Sequence, residues 1–74
     1  MIGRVPAGER LWRVRKNHTW IDAQVQEHAD GIEIGFTYDG ALVYSRRFST
    51  RDLALREADR TLRDLQRAGW ATHW

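Results

Sequence analysis

Four stretches of the chain alternate apolar and polar side chains with a period of two: Leu11–Lys16, Trp20–Glu27, Ile32–Tyr38 and Leu42–Phe48. Each is rich in β-branched or aromatic residues, and turn-forming pairs separate them: Asn17-His18, Asp30-Gly31 and Asp39-Gly40. The pattern predicts strands joined by hairpins. Beyond Ser49 the period lengthens. Leu55, Ala58, Leu62 and Leu65, with Ala54 beside them, recur at spacings of three and four, while Arg56, Glu57, Asp59, Arg60, Arg63, Asp64 and Arg67 occupy the other face. That is an amphipathic helix over about residues 50–68. Ser49 or Thr50 caps its start, with Asp52 at capping-box spacing from Ser49. Gly69 is placed to end it in a left-handed turn, and Trp70 to fold back on Leu65.

Hairpin registers follow from requiring the apolar residues to share one face. A two-residue turn at Asn17-His18 pairs Val14 with Ile21 and Trp12 with Ala23, and one at Asp30-Gly31 pairs Val25 with Phe36. These put Trp12, Val14, Ile21, Ala23, Val25, Ile32, Ile34 and Phe36 together. A two-residue Asp39-Gly40 turn would pair Phe36 with Val43 and send Leu42, Tyr44 and Phe48 to the wrong side. A three-residue loop, Tyr38-Asp39-Gly40, with Gly40 in the left-handed bulge position, pairs Phe36 with Leu42 and Ile34 with Tyr44 instead. The bulged loop is therefore expected. The fold class is α+β: a three- to four-stranded antiparallel meander with one carboxy-terminal helix on its apolar face. Residues 1–74 read as a single domain, with the sheet at about 11–48, the helix at about 50–68 and a tail at 69–74. The first strand is short, and a three-stranded sheet is the close rival.

Composition supports folding and removes several function classes. Leu, Ile, Val and Phe number 16 of 74 and the net charge is only +2, which separates the chain from disordered sequences. With no cysteine there is no disulfide, thiolate zinc site or thiol nucleophile. No apolar run reaches the roughly 18 residues of a membrane span, and residues 1–16 lack an apolar signal core, so a cytoplasmic domain with no membrane partner is expected. The cations are not massed. Residues 1–20 carry a net +4, residues 21–45 a net −5, and Arg46, Arg47 and Arg51 add three positive charges. An acidic block thus divides two basic clusters, which a phosphate-binding surface would not favour unless folding reunited them. The ratio of 11 Arg to 1 Lys reads as the codon bias of a GC-rich genome before it reads as selection for phosphate forks.

Catalytic and metal chemistry find little purchase. His18, His28 and His73 have no helical histidine partner at metal-ligand spacing, and no carboxylates are paired for acid–base work. Gly31, Gly35 and Gly40 do not form a phosphate loop, and Ser45 and Ser49 lack a nucleophile turn. We expect no enzyme, no cofactor and no metal. The second sheet face is more informative. The expected registers place Arg13, Arg15, Asp22, Gln24, Gln26, Glu33, Gly35, Thr37, Val43, Ser45 and Arg47 there, where one helix cannot also reach. Arg13 falls opposite Asp22, and Arg15 opposite Trp20, whose indole can carry its guanidinium. Of four tryptophans, Trp12 belongs to the core and Trp70 to the helix cap, while Trp20 and Trp74 have no evident burial and suit an interface. The outer edges of strands one and four have nothing in the sequence to cover them.

The order strand–strand–strand–helix, with Trp12-Arg13-Val14-Arg15 opening and Phe48-Ser49-Thr50 leading into Ala54 and Ala58, resembles the small AP2-like arm-type DNA-binding domain of phage integrases. The resemblance covers about residues 11–65 and implies a sheet that enters the DNA major groove with the helix behind it. Arg13, Arg15 and Arg47 lie where groove-contacting side chains would stand; the acidic middle strands depart from that pattern. Two functional expectations follow. The first is a non-catalytic interaction module that binds a protein partner or itself as a homodimer, with Arg13, Arg15, Trp20, Gln24, Thr37 and Arg47 as its binding residues. The alternative is a nucleic-acid partner, duplex DNA, on the same face.

Overall fold

The computed structural model describes residues 8–72. Part of the basic amino-terminal block, and His73 and Trp74, lie outside them. Four antiparallel strands run in sequence order: β1 (Glu9–Lys16), β2 (Thr19–His28), β3 (Gly31–Tyr38) and β4 (Ala41–Phe48). The helix α1 (Arg51–Arg67) follows, and then a two-residue strand, β5 (Ala71–Thr72). The sheet order is β4-β3-β2-β1-β5. The four-stranded α+β meander is thus the fold, and β1 is a full strand of eight residues rather than a vestige.

The first hairpin has the expected register, with Val14 opposite Ile21 and Trp12 opposite Ala23. A bulge between Arg10 and Trp12 inserts Leu11, which joins Trp12 against the core. The second hairpin keeps the expected faces but slides by two residues: Phe36 faces Ala23, and Val25 faces Ile34. Its turn is Ala29-Asp30, so Gly31 is a strand residue paired with His28. The physical reason is crowding. A Cβ on Gly31 would sit 2.7 Å from the Phe48 carbonyl oxygen, so glycine is needed within the ladder rather than in the turn.

The third hairpin corrects the expected one. Tyr38 pairs with Ala41 across a two-residue turn in which Asp39 (φ 51°) and Gly40 (φ 89°) are both left-handed. That is the preferred conformation of an Asp-Gly hairpin, and it prevails over the three-residue loop. The compensating bulge lies further along, between Phe36 and Thr37 on the β3 side, where Val43 is the extra residue of β4. Beyond it Phe36 faces Tyr44 and Ile32 faces Phe48, so both aromatic residues do reach the helix side. Leu42, opposite Thr37, turns to the open face, and Val43 turns to the helix side, the reverse of expectation.

The core comprises Trp12, Val14, Ala23, Val25, Ile34, Phe36, Ala54 and Ala58, with Ile34 and Val14 fully buried. Thr50 rather than Ser49 caps the helix, its Oγ1 accepting the Leu53 N–H at 3.2 Å. The buried stripe runs through Ala54 and Ala58, while Leu55 and Leu62 are only half-buried. Two alanines let the helix lie close to the sheet, close enough for Trp12 Nε1 to donate to the Ala58 carbonyl at 3.1 Å. The helix ends as expected. Gly69 (φ 100°) is left-handed, Trp70 N donates to Leu65 O at 3.0 Å and Gly69 N to Gln66 O at 3.1 Å. Trp70 packs against the core, its ring steeply inclined to that of Tyr38 with 6.4 Å between centroids. On the solvated face Asp52 pairs with Arg56 and Asp59 with Arg63, each four residues on, and Asp64 pairs with Arg67, three residues on.

Candidate functional site

The open face of the sheet carries all six residues proposed from the sequence, in three groups. At the β1–β2 end, Arg13 grips the buried Asp22 with two hydrogen bonds, Nε to Oδ1 at 2.6 Å and Nη2 to Oδ2 at 2.9 Å. That hydrogen bond, opposed by some desolvation and aided by the carboxylate's charge, raises the Arg13 guanidinium above its ordinary pKa. Arg13 and Arg15 both approach the Trp20 ring, at 5.1 and 5.9 Å from its centroid. Arg15 was expected there; Arg13 is the nearer of the two. Arg15 also donates to the Asn17 carbonyl and has no carboxylate partner among the described residues.

In the middle, Gln24 and Thr37 line a shallow polar hollow of about 240 Å³ with Gln26, Glu33, Gly35 and Leu42. Gly35 does thin the sheet there, but Leu42 leans over it: a Cβ on Gly35 would meet Leu42 Cδ1 at 3.1 Å. At the far end Arg47 donates to Asp30 at 2.7 Å and lies 3.9 Å from Glu33. Glu33 also accepts from the His28 ring at 2.6 Å. The His28 hydrogen bond first, and then one from Ser45, hold the Glu33 carboxyl below its usual range. The structure therefore does not bring Arg47 to Arg13 and Arg15; strands β2 and β3 intervene, and its charge is already matched.

The two outer edges of the sheet differ. Strand β5 pairs with β1 at Val14 and Arg15, so the β1 edge expected to be bare is partly covered. Among the described residues nothing pairs with the outer side of β4, and all of it except Phe48 is exposed. Tyr38, Leu42, Val43 and Tyr44, in and beside the β3–β4 hairpin, account for four of the five exposed large apolar residues, from 43% to 64% accessible. On the helix side β4 and α1 enclose a groove of about 330 Å³, lined mainly by Phe36, Tyr38, Val43, Tyr44, Thr61 and Leu65, with Glu57 on its helical wall. Phe36 and Tyr44 stack at its floor, 6.0 Å between ring centroids.

Sequence reasoning missed this groove. Its signal was present: Leu42-Val43-Tyr44 breaks the period of two with three consecutive apolar residues, which means that both sides of β4 are apolar. Two alanines at the helix contact also make α1 too slender to cover four strands. The described residues contain no group of three or more His, Asp or Glu that could hold a metal ion, and no helix long and apolar enough to cross a membrane. Comparison of the chain with protein-family models, with curated proteins and with solved structures finds no match.

Proposed function

We propose that this chain is a non-catalytic interaction module that binds protein, either another chain or its own copy, through the β4 edge and the groove beside it. The observation that supports this reading is the concentration of exposed apolar side chains on one unpaired strand, next to an apolar groove. An extended segment added to a sheet edge gains main-chain hydrogen bonds, and alternate side chains then meet whatever lies on either face. Here those are the groove on one side and Leu42 over the polar hollow on the other.

The nucleic-acid reading draws on the same open face but on few free cations. Arg13 is engaged with Asp22, and Arg47 with Asp30 and Glu33, which leaves Arg15 as the unpaired guanidinium of the three. A surface of nearly balanced charge releases few counterions on meeting phosphates, so the protein reading is preferred. The deciding experiment compares affinity capture by the native chain and by Val43→Lys. Retention of a partner, or of tagged native chain, by the native protein and its loss in a folded Val43→Lys variant supports the module. Equal retention by both overturns it. Duplex DNA retained at about 50 mM salt, released by about 200 mM and lost on Arg15→Ala, would transfer the function to the sheet face.

A further inference from the structure

We infer that the partner of β4 is a second copy of this chain, bound edge to edge and antiparallel about a two-fold axis through Ser45, with Arg46 of each copy reaching Glu57 of the other. This rests on the reading of β4 and its groove as a protein-binding surface, and identifies the occupant.

Two charges on the helix side of this edge are unmatched among the described residues. Arg46 lies opposite Ile34 on the helix side of β4, its guanidinium 5.1 Å from the Phe48 ring centroid. It has no carboxylate partner among the described residues, in contrast to Arg47, Arg51, Arg56, Arg63 and Arg67. Glu57 stands on the helical wall of an otherwise largely apolar groove and is likewise in no ion pair among the described residues. One unmatched cation on the edge strand and one unmatched anion beside it make a surface complementary to itself.

Strand geometry selects the register. The bulge at Val43 leaves Tyr44–Phe48 as the regular part of β4. Antiparallel pairing sets residues of one face opposite each other. An axis at Arg46 would oppose two guanidinium groups. An axis at Ser45 places a small hydroxyl side chain at the centre and opposes Tyr44 of each copy to Arg46 of the other. Tyr44 lies on the floor of the groove whose helical wall carries Glu57, so the incoming Arg46 meets an aromatic face and a carboxylate together. On the reverse face Arg47 brings no bare charge to the junction, because Asp30 and Glu33 already match it. The two-fold keeps both helices on one side of a continuous sheet and joins the two grooves over the shared strands, burying Val43 and Tyr44 from each copy.

One strand edge and its flanking grooves fall at the small end of specific interfaces, so dissociation in the range of ~1–100 μM is expected. Sedimentation equilibrium on the purified chain, from about 1 μM to about 1 mM, should show the mass rising from 8.7 kDa toward twice that value. Arg46→Glu and Glu57→Arg should each weaken association by about tenfold or more, and the double variant Arg46→Glu/Glu57→Arg should restore it. Backbone amide exchange of the native chain gives a readout that needs no variant: residues 44–48 should exchange more slowly as concentration rises. A mass of 8.7 kDa up to about 1 mM, or a dimer indifferent to both charge reversals, overturns the inference. A strictly monomeric chain that captures another protein, and loses it on Val43→Lys, overturns the dimer while the interaction reading stands.

Discussion

Strands β1 and β4 are equally long, and both flank the central β2–β3 pair, yet they are finished in opposite ways. Strand β1 is stitched into the fold from several directions. Trp12 ties it to the helix backbone, Lys16 Nζ donates to the Ala68 carbonyl at 2.9 Å, and β5 covers its outer edge. The Gln66 side chain donates to Thr72 at 3.0 Å and holds β5 to the helix end. Strand β4 receives the helix over only part of its length and nothing along its outer edge among the described residues. The difference is one of where a single slender helix can reach. Its alanine stripe settles over Trp12, Ile34 and their neighbours, and the apolar excess is left at the far side. Tertiary ties are concentrated on one flank of the sheet and exposed apolar side chains on the other.

Substitutions can break or sharpen that contrast. The largest effect belongs to the shared core: Ile34→Ala removes a fully buried side chain and should cost about 2–5 kcal/mol, enough to unfold much of a small domain in a urea titration. Trp12→Phe keeps most of the ring but deprives the Ala58 carbonyl of its donor. A loss of about 1–3 kcal/mol is expected, read from the same titration, and a loss below the error of measurement would remove that tie from the account. Asp22→Asn leaves Arg13 without its carboxylate and should cost about 1–2 kcal/mol, less than a fully buried pair because Arg13 is partly exposed. On the other flank, Leu42→Ser should change stability by no more than about 0.5 kcal/mol, since its side chain is largely in water already. A large loss there would show that β4 is structural after all.

Glu33 supplies the gentlest test, through pH. Its carboxyl is held below the usual range by His28 first and Ser45 second. A depressed acid contributes stability that is complete above its unfolded pKa, about 4.3, and that disappears as pH falls from there through the folded value. His28→Ala should move the Glu33 carboxyl up toward its ordinary value, visible by carboxyl-carbon NMR, and should flatten the acid limb of the stability curve. An unchanged titration would mean that Ser45 and Arg47 alone hold the charge.

The first hairpin and the helix were legible because their signals are local. Asn17-His18, the alternation of Trp12, Val14, Ile21 and Ala23, and the Gly69 stop each speak within a few residues of the feature they set. The second turn was misplaced because Gly31 looks like a turn glycine in sequence, whereas its role is to admit the Phe48 backbone, seventeen residues away. In the third hairpin the demand that apolar residues share a face did identify a bulge, but could not locate it. Asp39-Gly40 determined the turn, and the bulge moved to Val43. The proposed site residues did fall on one face. That Arg13 and Arg47 would spend their charges on neighbouring acids was foreseen for the first alone, because Arg47 meets Asp30 and Glu33 only once β3 and β4 are in register.

Periodicity, turn chemistry and caps, all written in short stretches of sequence, determined that there would be four strands, one helix and a two-sided sheet. Tertiary structure alone decided how far the helix reaches across the sheet, which edge β5 covers, and hence which apolar residues remain outside. Those outcomes depend on packing between segments distant in the chain: alanines that let the helix approach, an indole that donates to a helix carbonyl, a glycine that yields space to another strand. No local pattern encodes such distances, because each is a property of two segments at once.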